Sequence, residues 1–456
     1  MKRFLFLMLL GVPLFAQAQK LWTLEDCIKY AWDNNLSIKQ QELGVEQTTN
    51  TLFQSKMALA PSLSAQITEN VNWGQSVDLS TLTLLNHVRS SNTGMGVYAE
   101  LDLFTGLQKW NTIKSEGSKL QIAVQEVQKL KNEISIEITR YYMNVLLSKE
   151  ILDAAKQSRE SVSQQCERTR LLVNAGSQPL SSLLELESQL ATEDLQVVDA
   201  DNNLRTNYLS LKQLLDLSLD TEFEVVFPTI DQVDEYKPVS IEDLYYISQA
   251  LPQIKKSEFT YEQRQHEMAI AKGGRYPRLS LSMGYSTFYS DAGRKRDTLA
   301  TETGGAGDLL SGNANKGFWE QLGNNNNPSI GLTFSVPIFN KWQVNTNIKN
   351  ARLSLQMAEL ELRNARQLLL KEIQQAANDA TSTYLRCKAT ERNVKSMEES
   401  FRYVQNKFDI GLLNGTDYTV SKTNLFQAQS NFIQAKYEHV FKLKILDFYK
   451  GVPISL

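Results

Sequence analysis

Apolar residues recur at steps of three and four through the stretch 341–450, which is the spacing of a helical seam. The stretch contains no proline, and its only glycines are Gly411 and Gly415. We therefore predict a helical hairpin over 341–450 that folds back between these two glycines. Its first arm, about seventy residues at ~1.5 Å each, would be roughly 105 Å long.

A second helical pattern covers 107–217 and has the same plan. Apolar residues from Ile113 to Cys166 share one heptad frame, and the helix ends at Gly176 and Pro179. A shorter arm follows from Ser181 to about Leu217. We predict a second helical hairpin here, because a glycine followed by a proline ends one helix and leaves a short turn before the next.

Four segments alternate apolar and polar residues with a period of two, which predicts β-strands with one apolar face. They cover about 62–73, 94–104, 278–290 and 329–339. Glu69 is an exception, a charged residue at one of the alternate positions that are otherwise apolar. The polar positions carry small residues together with Glu100 and Asp102. Because about ten such residues cross a bilayer as a tilted strand, we predict four transmembrane strands and a watery lumen that includes Glu100 and Asp102. The alternative is the edge of a soluble β-sandwich with one solvated face.

The chain also repeats itself, which predicts an internal duplication. Thr23–Cys27 matches Ser240–Leu244 at an offset of 217, and Pro61 matches Pro277 at 216. Further on, Gly176 matches Gly411 at an offset of 235, so the extra residues lie in a polar loop over 291–328. The first repeat would cover 19–217 and the second 240–450, each with an opening helix, two strands and a hairpin. The first opening helix would run from Leu24 to about Ala58, residues 218–239 would connect the repeats, and 451–456 would form a tail.

Residues 1–18 have the pattern of a secretory signal peptide, with Lys2 and Arg3 before an apolar run and an A-x-A site at its end. We expect the mature chain to begin at Gln19. An N-terminal membrane anchor is the alternative, but the run is too short to span about 30 Å of hydrocarbon. No later stretch approaches eighteen consecutive apolar residues, so a membrane-spanning part would have to consist of strands.

Composition excludes several other classes of protein. Without residues 1–18 the chain has 46 basic and 51 acidic residues, so it lacks the excess of positive charge that nucleic-acid binding requires. The three cysteines have no metal-ligand spacing, and no motif for catalysis or nucleotide binding is present. We therefore predict no enzymatic activity, no cofactor and no bound metal.

Four strands cannot form a membrane structure alone. They are too few to close, and an open sheet edge in lipid leaves unpaired N–H and C=O groups. At least two copies of the chain must then share one β-barrel. The hairpins, whose seams alternate Ala with larger aliphatic residues, would pack side by side into an α-helical barrel; a solid coiled-coil bundle is the alternative.

The order and spacing of these motifs resemble the TolC-type outer-membrane efflux protein family across the whole mature chain. The resemblance depends on the Leu24-Glu25-Asp26 opening, the doubled Pro61 and Pro277 motifs, the ends of the strands at Phe104 and Phe339, and the tip motif 408–411. It implies a mixed fold of α-helix and membrane β-strand in the outer membrane, with helices that project into the periplasm. It also implies a homotrimer with a twelve-stranded barrel, a periplasmic adaptor protein and an inner-membrane pump of RND or ABC type.

The same resemblance assigns roles to the two hairpin tips, where family members close the channel and carry aspartate rings. Asp417 matches one such aspartate and Ser182 occupies the duplicated position, so we predict a single acidic ring at the entrance. An ordinary helix-start carboxylate is an equally good interpretation of Asp417. The expected adaptor-docking residues are Gly176, Ser177, Gln178 and Pro179 in the first tip and Gly411, Leu412, Leu413, Asn414 and Gly415 in the second.

Two functional classes remain open on the sequence. One is a passive exit duct, which could serve small-molecule efflux or type I secretion of protein. The other is a structural or adhesive coiled coil that spans the periplasm without a pore.

Overall fold

A computed structural model describes residues 21–78, 83–218, 223–228, 237–291 and 317–456 of the protein. The elements follow one another as β1 (Leu21–Trp22), α1 (Leu24–Asn34), α2 (Leu36–Met57), β2 (Ser62–Asp78), β3 (Thr83–Phe104), α3 (Gln108–Asn174), α4 (Leu180–Leu214), β4 (Glu224–Val225), α5 (Ile241–Ser248), α6 (Pro252–Gly273), β5 (Arg278–Ser290), α7 (Phe318–Asn324), β6 (Asn327–Ser335), α8 (Gln343–Asp409) and α9 (Gly415–Tyr449). The predicted mixture of long helices and strands is confirmed. The predicted signal peptide lies outside the described residues.

The bounds of the elements repeat at the offsets that the sequence predicts. Helices α3 and α8 each have 67 residues, and α4 and α9 each have 35. Both pairs begin and end at an offset of 235, and α6 begins and ends at an offset of 216 from α2. The internal duplication is therefore a property of the fold as well as of the sequence.

Backbone conformation repeats even where the residue type does not. Nine described residues have a positive φ, and eight of them form pairs at this same offset of 235. The pairs are Gly106 and Lys341, Leu107 and Trp342, Gly176 and Gly411, and Asp216 and Gly451. Left-handed backbone is costly for a residue with a Cβ atom. Its recurrence at Leu107, Lys341 and Trp342 therefore shows that both repeats make the same turn from strand to helix.

The chain divides into two units. The helical unit comprises the described residues within Met1–Gly44, Ala123–Ser257 and Leu362–Leu456, and the strand unit comprises those within Val45–Ile122 and Glu258–Glu361.

One core of the helical unit surrounds Tyr142, which is completely buried. Its hydroxyl donates to the carbonyl oxygen of Val226 at 2.7 Å and lies 3.2 Å from that of Trp22. Burial raises the pKa of Tyr142 far above its ordinary value, so the hydroxyl stays a donor. Strands β1 and β4 pair in parallel beside it, a pairing that the sequence did not indicate.

The first opening helix is two helices, which corrects the prediction of one continuous helix from Leu24 to about Ala58. Asn35 has an extended backbone, with φ −60° and ψ 128°, between α1 and α2. Its side-chain oxygen accepts from the backbone N–H groups of Ser37 and Ile38 at 2.9 and 3.3 Å. Asn35 therefore ends one helix and caps the next, because an asparagine side chain can replace the missing backbone acceptor.

His439 gives the helical unit a predictable dependence on pH. It is fully buried on α9, with Nδ1 3.1 Å from Thr383 Oγ1 of α8. Burial lowers its pKa below the ordinary value of about 6.5. Protonation therefore favours the unfolded chain, and the stability is complete above pH 6.5 and lost as the pH falls through that value toward the folded pKa.

We accordingly expect the thermal midpoint of helix loss to fall between about pH 7.5 and about pH 5.5, and to fall less steeply in His439→Gln, which cannot take up the proton. Circular dichroism of both proteins across this range measures the difference in slope. Parallel slopes would show that His439 does not control the loss.

The strand unit contains an antiparallel sheet in the order β2-β3-β5-β6. Its register places the apolar residues of all four strands on one face of the sheet. One row across the sheet consists of Leu63, Ala99, Met283 and Ile330, and the next of Ala65, Val97, Tyr285 and Pro328. A slip of one residue would move every apolar side chain to the other face, so this pattern fixes the register.

The strands differ in extent from the prediction. Strands β2 and β3 continue to Asp78 and from Thr83, so much of the stretch between the predicted strands 62–73 and 94–104 is paired strand. Strand β6 runs only from Asn327 to Ser335, because its partner β5 begins at Arg278, which pairs with Ser335. Pro337 also has no N–H group to extend the ladder. The described part of the predicted 291–328 loop contains the short helix α7.

Candidate functional site

Both hairpin tips have the same backbone structure. Gly176 and Gly411 have φ values of 74° and 78°, and each follows the last residues of a long helix. The N–H of Ser177 donates to the backbone carbonyl of Leu172 at 2.8 Å, and the N–H of Leu412 donates to the backbone carbonyl of Lys407 at 2.9 Å. These are the bonds of a Schellman motif, which satisfies the last carbonyls of a helix while glycine supplies the left-handed turn.

The predicted tip residues are mainly at the surface. In the first tip, Gly176, Ser177 and Pro179 are exposed and Gln178 is half-buried; in the second, Gly411, Leu412 and Asn414 are exposed and Leu413 is half-buried. Gly415 is buried against the side chain of Glu185. The side-chain amide of Gln178 also approaches the carbonyl of Phe408, at 3.5 Å. The structure therefore brings the two tips into contact with each other.

The two predicted entrance residues have different environments. Asp417 is exposed in the first turn of α9, where the Asn414 side chain accepts from its backbone N–H at 2.8 Å. Ser182, at the duplicated position, is buried, and its helix begins at Leu180 after Pro179, which provides no side-chain cap. Only Asp417 presents its side chain at the surface of the chain. Its place in a capped first turn suits a helix-start carboxylate, and its exposure leaves the charge accessible.

A second contact between the hairpins lies at the end of α8. Asp409 accepts hydrogen bonds from Gln165 Nε2 at 3.1 Å and from Arg168 Nη1 at 3.2 Å, both from α3. Arg168 is largely exposed, so this ion pair contributes little energy by itself. It nevertheless holds the end of α8 beside α3.

An aromatic core supports the tips. Tyr418 is fully buried, with its ring centroid 4.9 Å from that of Phe408 and 5.4 Å from that of Phe401. Burial raises the pKa of Tyr418 to about 12, and the charge of Asp409 adds to the effect. Tyr418 was not predicted from the sequence, because it belongs to no conspicuous motif.

Charged residues are buried just behind this core. Glu193 of α4 is 1% exposed and accepts from Gln189 Nε2 at 2.8 Å through one oxygen. Lys422 of α9 is 8% exposed, and its Nζ lies 5.0 Å from the centroid of the Phe401 ring. Burial lowers the pKa of Lys422, while the charge of Glu193 opposes that shift. The pair was not predicted, because charged residues on a helix are expected at the surface.

The polar face of the sheet contains the two predicted lumen acids. Glu100 lies opposite Ser62 and Ser282, and Asp102 lies opposite Ser280. Asp102 forms an ion pair with Lys109 Nζ at 2.8 Å, a contact that was not predicted from the sequence. Part of the negative charge expected on this face is therefore neutralised within the chain.

Two negative findings apply to the described residues. None of their helices combines the length and the apolar character needed to cross a membrane. In the same residues, His, Cys, Asp and Glu side chains form no group of three or more that could hold a metal ion.

Comparison with known proteins gives consistent matches. The sequence profile of the family described as "Outer membrane efflux protein" matches residues 27–216 and 246–442. Outer membrane protein TolC of Escherichia coli K12 is 20% identical over 356 residues, which cover 78% of this chain and 68% of that protein. TolC of Vibrio cholerae is 19% identical over 336 residues, which cover 73% and 71%.

Solved structures share the fold. The Campylobacter jejuni CmeC outer membrane channel has a TM-score of 0.76 and 17% identity, with 95% of this chain and 86% of that chain covered. The outer membrane protein VceC of Vibrio cholerae has a TM-score of 0.73 and 15% identity, with 95% and 97% covered.

Proposed function

The chain belongs to the outer membrane efflux protein family and is located in the outer membrane, and from this premise we propose that it is the passive exit duct of a tripartite efflux or type I secretion system. The duct works with a periplasmic adaptor and with an energised inner-membrane transporter of RND or ABC type. It carries out no chemistry of its own, so the energy for transport comes from that transporter.

The observation that carries the proposal is the open sheet of the strand unit. One of its faces is apolar, and β2 and β6 are its outer strands. In lipid, the free edges of these strands would leave backbone N–H and C=O groups unpaired. Pairing β6 of one copy with β2 of the next satisfies both edges, and three copies then form a twelve-stranded barrel around a polar lumen that includes Glu100 and Asp102.

The helices joined to the outer strands support the same assembly. Helix α2 precedes β2 and exposes Phe53 and Met57, which are 61% and 50% accessible. Helix α8 follows β6, and within the strand unit it exposes three large apolar residues, Leu353, Met357 and Leu360. These residues lie on the other side of α8 from the buried Ile348 and Ala358. A helix that is apolar on two sides requires a second neighbour.

The helix that precedes an inner strand lacks such a stripe. Helix α6 leads into β5, and its exposed residues within the strand unit are Glu258, Glu262, Gln265 and Lys272. Helix α3, which follows the inner strand β3, exposes one large apolar residue within the strand unit, Trp110 at the end of that strand. The exposed apolar residues are thus more numerous on the helices that adjoin the two free edges. This distribution favours a second copy as the neighbour, since a general aggregation surface would not follow the topology of the sheet.

In the proposed duct, the hairpins of three copies line a periplasmic tunnel and their tips form its entrance. The exposed turn residues, including Ser177, Pro179 and Leu412, are available to the adaptor. Within each copy, the two tips lie in contact through Gln178 and Phe408 and through Asp409 and Arg168.

Conductance in a lipid bilayer tests the proposal. We expect the purified, heat-modifiable oligomer to have the mass of a trimer and to conduct ions across planar bilayers. A monomeric or dimeric mass without conductance under any condition would contradict the duct and favour a structural or adhesive coiled coil.

Replacement of Asp417 by Asn should weaken block of the channel by divalent cations. If three Asp417 carboxylates meet at the entrance, their mutual repulsion favours a bound cation, and their removal should raise the blocking concentration about tenfold. Single-channel recording with added divalent cation measures the change. Glu399→Gln removes an exposed carboxylate from α8 and is the control; equal block in all three proteins would show that Asp417 forms no ring.

A further inference from the structure

The apolar face of the sheet changes from apolar to polar residues at one row across the strands. On β2 it carries Leu63, Ala65 and Ile67, and the next residue on this face is Glu69. The Glu69 carboxylate accepts hydrogen bonds from the hydroxyls of Ser91 and Thr93, which lie on β3 on the same face. Glu69 lies opposite Thr93, and Thr93 lies opposite Tyr289 of β5. The change therefore extends across three strands.

The following rows on this face stay largely polar. Val71 lies opposite Ser91, whose carbonyl accepts from the N–H of Asp291 at 3.0 Å. Trp73 and Arg89 form the row after that, and both are exposed. A charged residue on the lipid face is costly at the middle of a bilayer and tolerated near its surface. The positions of Glu69 and Arg89 therefore indicate that the hydrocarbon core of the bilayer ends at or before the row of Glu69.

Large aromatic residues collect at the opposite ends of the strands. Exposed side chains there are those of Phe104, Trp110, Tyr276, Phe339 and Trp342. Tryptophan and tyrosine favour the level of the lipid headgroups, where an aromatic ring is partly apolar and partly polar. The apolar face therefore ends in an aromatic belt on one side and in the polar row on the other.

The distance between these limits agrees with the thickness of a membrane. Ten residues separate Leu279 from Tyr289 along β5. At ~3.3 Å per residue they extend roughly 33 Å, which becomes about 25 Å along the membrane normal for a strand tilted by ~40°. That height equals the apolar band of roughly 25 Å found in outer-membrane barrels.

We propose that the row of Glu69, Thr93 and Tyr289 is the level at which the sheet leaves the hydrocarbon and contacts the headgroup layer of the outer leaflet. The inference rests on the proposed function, because it requires the sheet to span the membrane. Strands β2 and β3 continue beyond this row to Asp78 and from Thr83, whereas β5 ends at Ser290. The β2–β3 hairpin therefore projects beyond the lipid, and Glu69 fixes where it emerges.

Depth-dependent quenching tests the boundary. Single cysteines at Ala65, Ile67, Val71 and Trp73, labelled with an environment-sensitive fluorophore, are reconstituted as the full chain in vesicles whose acyl chains carry bromine. Cys27, Cys166 and Cys387 are buried, and the unsubstituted chain measures any labelling of them. Labels at Gln66 and Asn70, on the other face, are the matched controls. We expect strong quenching at Ala65 and Ile67, severalfold weaker quenching at Val71 and Trp73, and little at the controls.

Two results separate failure of the boundary from failure of the duct. Equal, strong quenching from Ala65 to Trp73 would overturn the boundary while the sheet remained in the membrane. No quenching at any position would overturn the boundary together with the membrane-spanning sheet on which the proposed function depends.

The role of Glu69 has its own test. Glu69→Leu should extend the apolar face by a row and make the Val71 label severalfold more quenched, whereas Glu69→Gln should leave it unchanged. Heat-modifiable migration of both variants verifies that they are folded. An unchanged Val71 signal in folded Glu69→Leu would show that Glu69 does not fix the level.

Discussion

Replacement of Gly106 by alanine should be among the most damaging single substitutions in the strand unit. Gly106 has φ 63° in the turn between β3 and α3, and a Cβ atom there would collide with the carbonyl oxygen of Gly273. It would also lie 2.9 Å from the Cβ of Tyr276. Left-handed strain and overpacking together cost roughly 2–5 kcal/mol, a large part of the stability of a typical fold.

Two other positions distinguish the effect of the steric collision at Gly106 from the effect of left-handed backbone strain. Lys341, the duplicate of Gly106, has φ 52°, so this turn accepts a side chain where space allows. Gly176 has φ 74° and no atom within 4 Å of the point where a Cβ would lie, which makes Gly176→Ala a control for backbone strain alone at roughly 1–2 kcal/mol. We expect Gly106→Ala to lower the yield of heat-modifiable oligomer far more than Gly176→Ala. Similar yields for both would mean that the contact with Gly273 adjusts without cost.

Replacement of Leu360 by glutamate should prevent assembly of the oligomer. Leu360 is 60% exposed on α8, beside Met357, in the stripe that we assign to a neighbouring copy. Burial of one leucine contributes about 1.5–3 kcal/mol, and a closed trimer repeats the interface three times. The total loss is therefore roughly 5–9 kcal/mol before the cost of burying a carboxylate.

The measurement is mass in detergent by light scattering, and we expect monomers where the parent is a trimer. Gln265→Glu adds the same charge to the exposed side of α6, which adjoins an inner strand, and should leave the trimer intact. A trimer of undiminished stability for Leu360→Glu would remove α8 from the interface. Dissociation of both variants would instead indicate a general effect of added charge.

Much of this fold follows from the sequence, because long seams and alternating strands carry strong periodic signals. The offset of 235, inferred from motifs such as Gly176 and Gly411, recurs in the bounds of the four long helices. The break at Asn35 was missed because one asparagine changes two backbone hydrogen bonds without disturbing the apolar pattern. The outer half of the β2–β3 hairpin was missed because a register shift between Gly74 and Ser76 interrupts the alternation of period two.

The candidate site was less predictable than the fold. Motif position predicted the glycine turns of the two tips, because left-handed turns favour glycine, and it selected Asp417 by its match to the tip motif of the family. It did not identify Glu193 and Lys422, because their burial depends on helices from different repeats packing together. It also could not pair Asp102 with Lys109, since that ion pair crosses the turn at Gly106.

The paired left-handed residues suggest a history for the chain. Gly106 and Lys341, or Asp216 and Gly451, differ in side chain yet have the same backbone conformation at equivalent positions of the two repeats. The turns therefore outlasted the residues that first formed them, and selection since the duplication has preserved the path of the backbone more strictly than its sequence. Each half of the protein is in effect a natural homologue of the other, in which the tolerance of a position can be judged from its counterpart.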